Sequence, residues 1–167
     1  MAFEDLKSKN CVITGGGGVI GQTLARGLAK EGMNIAILDL NEEAAKNAAM
    51  DLENQYNIRA EGIACNVLDK ESIQKSKEAV LEIFGSIDYL INGAGGNSPK
   101  ATTKVEEIDE TVKDLSETFF GLQLEGFRQV FDLNFMGTLL PSMVFGEEMV
   151  HKKKGEILHI SSMNSYH

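Results

Sequence analysis

The sequence predicts a three-layer α/β fold, a doubly wound parallel sheet with helices on both faces. Two observations carry this expectation. Between residues 11 and 91, short apolar runs alternate with helical patterns, with few residues joining them. Neighbouring parallel strands need a crossover, and a helix between each pair supplies it. The second observation is a run of four glycines, Gly15 to Gly18, set between the first apolar run and the first helical pattern. A doubly wound sheet places its glycine-rich turn there.

The elements follow in order. Cys11 to Ile13 is a short strand ending in the glycines. A helix is expected from Val19 to about Lys30, with Ile20, Leu24 and Leu28 recurring every four residues and Gly32 closing it. Asn34 to Leu38 is β-branched enough for a buried strand. Asn41 offers a helix N-cap, with Glu42 and Glu43 in the first turn and Ala45, Ala48, Ala49, Leu52 and Tyr56 on one face. "AEGIAC" reads as the third strand. Asp69 caps a third helix with a stripe of Ile73, Ser76, Val80, Ile83 and Phe84, and Ile87 to Ile91 is the fourth strand.

Beyond Asn92 the rhythm breaks. "NGAGGNSPKATT" is too polar and glycine-rich for an element, and residues 104 to 124 read as an insertion near a pocket. A long helical pattern runs from about Phe127 to Val150, and Pro141 inside it should bend or split the helix. "EILHIS", Glu156 to Ser161, is the fifth strand. No repeat or linker divides the 167 residues, which are expected to form one domain.

The net charge of −9 argues against binding nucleic acid, because phosphate neutralisation needs a basic face. The basic run His151 to Lys154 suits a helix C-terminus instead. With two cysteines, Cys11 and Cys65, and no CxxC pattern, neither a disulfide framework nor a metal site is expected. No apolar stretch reaches membrane-spanning length, so a soluble, cytoplasmic protein without a membrane partner is expected.

A strand passing through glycines into a helix suits a pyrophosphate, since the absent Cβ lets backbone N–H groups approach and the helix dipole favours the anion. Gly15, Gly18 and Gly21 provide the spacing, with Thr14 just before. Asp39 ends the second strand 18 residues after Gly21, where an acid bonds the ribose hydroxyls and repels a 2′-phosphate. That favours NAD(H) over NADP(H). Asp39 could instead serve the start of the next helix. No Arg or Lys lies between Thr14 and Gly21 to receive a 2′-phosphate.

Across essentially the whole chain, these residues resemble the short-chain dehydrogenase/reductase family. "TGGGGVIG" is similar to its cofactor turn, which includes Val19 and Ile20. "INGAGG" resembles the Asn-Asn-Ala-Gly motif at Asn92, Gly93, Ala94 and Gly95, with Gly93 in place of the second Asn. "CNV" resembles the segment where Asn66 and the backbone of Val67 contact adenine. "FDLNFMGT" and "HISSMNS" put Asn134 and Ser162 at the family's active-site asparagine and serine. Val19 stands where the commoner branch has glycine, a spacing closer to the extended branch of sugar-nucleotide epimerases. "NGAG" and "FDLNF" fit the shorter branch, and within it "INGAGGNSPKATT" resembles D-mannonate oxidoreductases or fructuronate reductases.

The resemblance implies a Rossmann-type sheet in the order 3-2-1-4-5, later strands being absent, and hydride transfer between NAD(H) and a small-molecule carbonyl or alcohol. It also implies a homo-oligomer. In the family a tyrosine donates the proton, tuned by a lysine in a Tyr-x-x-x-Lys pair, while the serine orients the substrate oxygen and the asparagine supports a water chain. That pair is missing here, and Tyr166 follows Ser162 too closely to serve. The expectation is therefore the N-terminal part of a longer enzyme, inactive by itself. The alternatives are a non-catalytic dinucleotide-binding module and a fragment of an epimerase or dehydratase.

Overall fold

The computed structural model describes residues 3–105 and 107–162. Its five strands are β1 Asn10–Thr14, β2 Asn34–Asp39, β3 Ala60–Ala64, β4 Tyr89–Asn92 and β5 Glu156–His159. They form one sheet in the order β3-β2-β1-β4-β5. Every neighbouring pair is parallel. Helices α1 Val19–Lys30, α2 Glu42–Gln55 and α3 Lys70–Phe84 alternate with the first four strands. Helices α4 Leu124–Phe131 and α5 Gly137–Lys152 precede the fifth. The Rossmann-type order and the parallel sheet agree with expectation.

Two apolar layers hold the sheet. On one side Ile13, Ile35 and Ile37 pack with Ala25, Ala29, Ala45, Ala49 and Leu52 from α1 and α2. On the other, Val12, Leu38 and Leu90 meet Ile73 and Val80 of α3 and Val144, Phe145 and Met149 of α5. Each fully buried aliphatic or aromatic side chain contributes about 1.5–3 kcal/mol. Both cysteines are buried and reduced.

Local signals set the helix ends. Asn41 Oδ1 accepts from Ala44 N at 3.1 Å, and Asp69 Oδ1 from Glu71 N at 2.9 Å. Gly32, at φ +84°, follows α1 in a Schellman arrangement. Its N–H donates to Ala29 O, and that of Met33 to Leu28 O. The basic end of α5 is tied down, as Lys152 Nζ donates to Ile87 O and Asp88 Oδ1, each at 3.0 Å.

Several expectations need correction. The buried face of α1 is Gly21, Ala25 and Ala29, whereas Leu24 and Leu28 are half-buried and Ile20 is exposed. The close approach of α1 to the glycine turn admits only small residues on the inner face. The long helix changes type before Pro141: residues Asp132–Met136 form a π turn between α4 and α5, and Pro141 lies inside α5. Its ring crowds the carbonyl four residues earlier, that of Gly137, which opens α5 and follows the π turn. β5 ends at His159 and not at Ser161, because its partner β4 ends at Asn92 and the two are register mates. The final ladder bond runs from Ile160 N to Asn92 O at 3.2 Å.

Residues 104 to 124 hold short 3-10 turns at Leu115–Glu117 and Phe119–Gly121. The N–H groups of Lys104 and Val105 both donate to Glu117 O. Among the described residues no helix is long and apolar enough to cross a membrane.

Candidate cofactor cleft and active site

β1 delivers the chain to Gly15 at φ +63°, a left-handed conformation in which a Cβ would lie 2.7 Å from Ala94 Cα. At Gly21 a Cβ would run into Gly15 O and sit 2.6 Å from Gly16 Cα. Both glycines thus serve the protein's own packing, the crossing of β1 past the β4 loop and the seating of α1. Gly18 is different. As the N-cap of α1, at φ −77° and ψ 170°, its backbone suits any residue, and a Cβ would meet Gly15 O alone, at 3.3 Å. The first N–H groups of α1, on Val19, Ile20 and Gly21, have no acceptor within the helix.

Asp39, at the end of β2, braces this turn. Its Oδ2 accepts from Gly17 N and its Oδ1 from Asn41 N, each at 3.0 Å. The carboxylate therefore serves both the glycine turn and the start of α2.

A cleft of about 720 Å³ opens above these elements. It lies at the carboxyl ends of the strands, where the order reverses between β1 and β4, the usual ligand position in such sheets. Gly15, Gly18, Val19, Ile20 and Gly21 form one wall. Asp39 and Leu40 follow β2, Cys65 to Leu68 follow β3, and Gly93 to Gly95 follow β4. Gln129, Asp132 and Leu133 close the far side from α4 and the π turn. The size falls within the roughly 300–1,000 Å³ usual for cofactor sites.

Two expected cofactor residues lie behind the cleft instead of lining it. Thr14 is fully buried, and its Oγ1 accepts from Gly93 N and Ala94 N, each at 3.2 Å. Asn92 is 2% exposed, and its Nδ2 meets Ser142 Oγ at 2.8 Å and His159 Nδ1 at 3.1 Å. Asn66 Oδ1 accepts from Leu68 N at 3.0 Å and shapes the loop after β3, leaving Val67 buried beneath it.

The expected catalytic residues also stand outside the cleft wall. Asn134 lies in the π turn with its amide committed to backbone. Nδ2 donates to Gly96 O at 2.7 Å and Val130 O at 2.8 Å, and Oδ1 accepts from Gly96 N at 3.2 Å. Gly95 allows this, since a Cβ there would lie 2.7 Å from Asn134 Oδ1. Ser162 is exposed three residues past the end of β5. Tyr166 lies outside the described residues. The 104–124 insertion borders a smaller hollow of about 400 Å³, where Lys104 joins Asn97, Ser98, Pro99, Thr102 and Thr103.

Leu40, Cys65, Leu68, Gln129, Asp132 and Leu133 line the cleft without having been expected there. Leu40 carried a signal, being an apolar residue directly after β2, and is 77% exposed, whereas Leu68 lies in the loop four residues past β3 and is 43% exposed. Gln129, Asp132 and Leu133 carried none, because the phase of α4 is set by the π turn. Burial pushes the Cys65 thiol up, against hydroxyl contacts from Ser76 and Ser72, so it presents a neutral surface. Among the described residues, no group of three His, Cys, Asp or Glu side chains could hold a metal ion.

The short chain dehydrogenase family profile matches residues 9–167. The chain belongs to this family. It is 44% identical over 165 residues to an uncharacterized oxidoreductase of Haemophilus influenzae, covering 99% of this chain and 58% of that one. It is 43% identical over 168 residues to the uncharacterized oxidoreductase UxuB of Bacillus subtilis, covering 98% and 58%. A Haemophilus influenzae crystal structure with bound NAD, provisionally named a D-mannonate oxidoreductase, superposes with a TM-score of 0.90 at 43% identity, covering 96% of this chain and 57% of that one. An NAD+-bound xylitol dehydrogenase gives 0.81 at 28% identity, covering 96% and 55%. The chain thus spans a little over half the length of these short chain dehydrogenase relatives.

Proposed function

We propose that this chain is the cofactor-binding part of a longer NAD-dependent oxidoreductase acting on the carbonyl or alcohol carbon of a sugar acid such as fructuronate or mannonate. The observation that carries the cofactor assignment is Asp39 in the cleft wall. Its two hydrogen bonds to Gly17 N and Asn41 N leave each oxygen further lone pairs for ribose hydroxyls. No Arg or Lys is among the described residues that line the cleft, so a 2′-phosphate would meet the carboxylate with no cation from those residues beside it. The sugar-acid assignment rests on likeness to the NAD-bound Haemophilus influenzae structure and on the "INGAGGNSPKATT" segment.

When bound, NAD supplies the hydride chemistry. The chain's own residues bind and orient. The N–H groups of Val19, Ile20 and Gly21 receive the pyrophosphate, while Gly18 leaves it room. Leu40, Val67 and Leu68 offer an apolar seat for adenine beside Asn66. Thr14 holds the Gly93–Ala94 backbone at the inner end of the cleft. Asn134, with its amide fully engaged, fastens Gly96 and so fixes where that loop leaves the cleft. Ser162 hydrogen-bonds the substrate oxygen, and the proton donor is a residue that the 167-residue chain does not itself contribute. That chain binds cofactor without turnover. No observation favours the epimerase reading.

Isothermal titration with NADH and NADPH tests the cofactor half of the proposal. NADH oxidation with fructuronate, by a protein of the relatives' full length, tests the substrate half. Equal affinity for the two cofactors, or no turnover of any sugar-acid ketone, overturns the corresponding half.

A further inference from the structure

Asn92 ends β4 directly before the Gly93–Gly95 turn, and its side chain reaches away from the cleft into the space between α5 and β5. Its surroundings fix its protons one after another. Ser142 Oγ donates to Thr138 O at 2.7 Å, so its single proton is used. Toward Asn92, 2.8 Å away, that hydroxyl can only accept. The Asn92 amide must therefore present Nδ2 to it. The same NH2 group lies 3.1 Å from His159 Nδ1, so that ring nitrogen must also accept. Turning the amide over would set Oδ1 against the Ser142 oxygen, whose proton is already given to Thr138. As it stands, Oδ1 is buried with no hydrogen-bond partner among the described residues, which hold the amide through its nitrogen.

We infer that His159 is a positioning residue: as the Nε2–H tautomer, its Nδ1 holds the Asn92 amide and thereby the turn that shapes the inner end of the cofactor cleft. Register reinforces the link, since Asn92 and His159 are ladder partners at the last pair of β4 and β5. The same bond ties the Gly93–Gly95 turn to the strand that leads into Ser162 three residues later. Its effect on cofactor affinity rests on the function proposed above, while the tautomer does not.

The test uses the 167-residue chain. Long-range nitrogen–proton NMR of the His159 ring should show a protonated Nε2 and a bare, hydrogen-bonded Nδ1. A protonated Nδ1 overturns the inference, whether or not NADH binds. His159→Leu removes the acceptor and should weaken NADH binding roughly three- to tenfold, as expected for one lost hydrogen bond. His159→Asn, whose Oδ1 can accept from Asn92, should restore wild-type affinity. Thermal melts of both variants show that each is folded. Wild-type affinity in folded His159→Leu, or a loss in His159→Asn equal to that in His159→Leu, would refute the positioning role. Failure of the wild-type chain to bind NADH would sink the cofactor assignment and, with it, the predicted affinity effect, leaving the tautomer to stand or fall on the NMR result.

Discussion

Gly18→Ser separates the two roles of the glycine turn, because it should keep the fold and lose the ligand. The backbone at position 18, with φ −77° and ψ 170°, suits serine, and a Cβ there would meet Gly15 O at 3.3 Å and nothing else. Serine is also a better N-cap than glycine by a few tenths of a kcal/mol, since its Oγ accepts from the N–H groups of the second or third helical residue. Here those residues are Ile20 and Gly21. They are the donors assigned to the pyrophosphate, so cap and ligand compete for the same protons. Losing one charge-assisted hydrogen bond corresponds to about 1.5–3 kcal/mol. That is roughly a ten- to hundredfold rise in Kd for NADH. Gly21→Ala provides the contrast. Its Cβ would sit 2.6 Å from Gly16 Cα, so backbone must move and stability should fall by about 1–3 kcal/mol. Calorimetric melts and NADH titrations of both variants decide the matter. Undiminished binding in Gly18→Ser would mean that the N-terminus of α1 is not where the pyrophosphate sits. A large drop in its Tm would mean that the steric account of the turn is wrong.

Three further outcomes are expected. Asp39→Ala should lower the preference for NADH over NADPH about tenfold, or about 1.4 kcal/mol, measured as a ratio of Kd values; an unchanged ratio removes Asp39 from cofactor selection. Asp88→Ala should destabilise the fold by about 1–3 kcal/mol at neutral pH, because Oδ2 accepts from Asn10 N and Oδ1 from Lys152, each at 3.0 Å. Burial raises the Asp88 pKa, but the Asn10 N–H and Lys152 outweigh it and the net shift is downward. Its stabilisation is therefore complete above the ordinary aspartate range and fades as pH falls through the lower folded value, so the gap between wild type and variant should close below about pH 4 in denaturant titrations. Finally, the 167-residue chain should show no NADH oxidation with fructuronate, since general acid catalysis is worth on the order of a hundred- to ten-thousand-fold; turnover at the rate of a full-length relative would mean that the acid lies within these residues.

The cleft was legible in the sequence where its chemistry is local. Gly15, Gly18, Gly21 and Asp39 mark a strand end, a turn and a helix start in the sequence, and the structure puts all four in the cleft wall. The far wall was not legible. Gln129, Asp132 and Leu133 face the cleft because a π turn at Asp132–Met136 resets the helix, and no single residue there announces it. Hydrophobic spacing likewise misled in α1, where the sheet takes Gly21, Ala25 and Ala29 and leaves Ile20 to the cleft. The stripe there is divided, with Leu24 and Leu28 packed at the edge of the core and Ile20 in the cleft wall. The resemblance gives Asn134 an active-site role, but the bonds from its amide to Gly96 depend on a tertiary contact 38 residues away in the chain.

The segment after β4 shows why contact alone is a poor guide to function in this cleft. Thr14 holds Gly93 and Ala94 from β1. Asn134 holds Gly96 from the π turn, and Asn92, the residue before Gly93, is itself anchored to α5 and β5. None of these three side chains lines the cleft, yet together they set the path of a backbone that does. The segment itself is half-buried to exposed, and Thr14 and Asn134 satisfy the N–H groups of Gly93, Ala94 and Gly96, so these bonds serve the loop's own fold before they serve binding. Substitutions at Thr14, Asn92 or Asn134 should therefore weaken cofactor binding and stability in parallel, whereas Gly18→Ser weakens binding alone. A plot of ΔTm against the change in NADH affinity should place the two groups on different lines. If all four variants fell on one line, the distinction between lining and supporting residues would have no energetic meaning here.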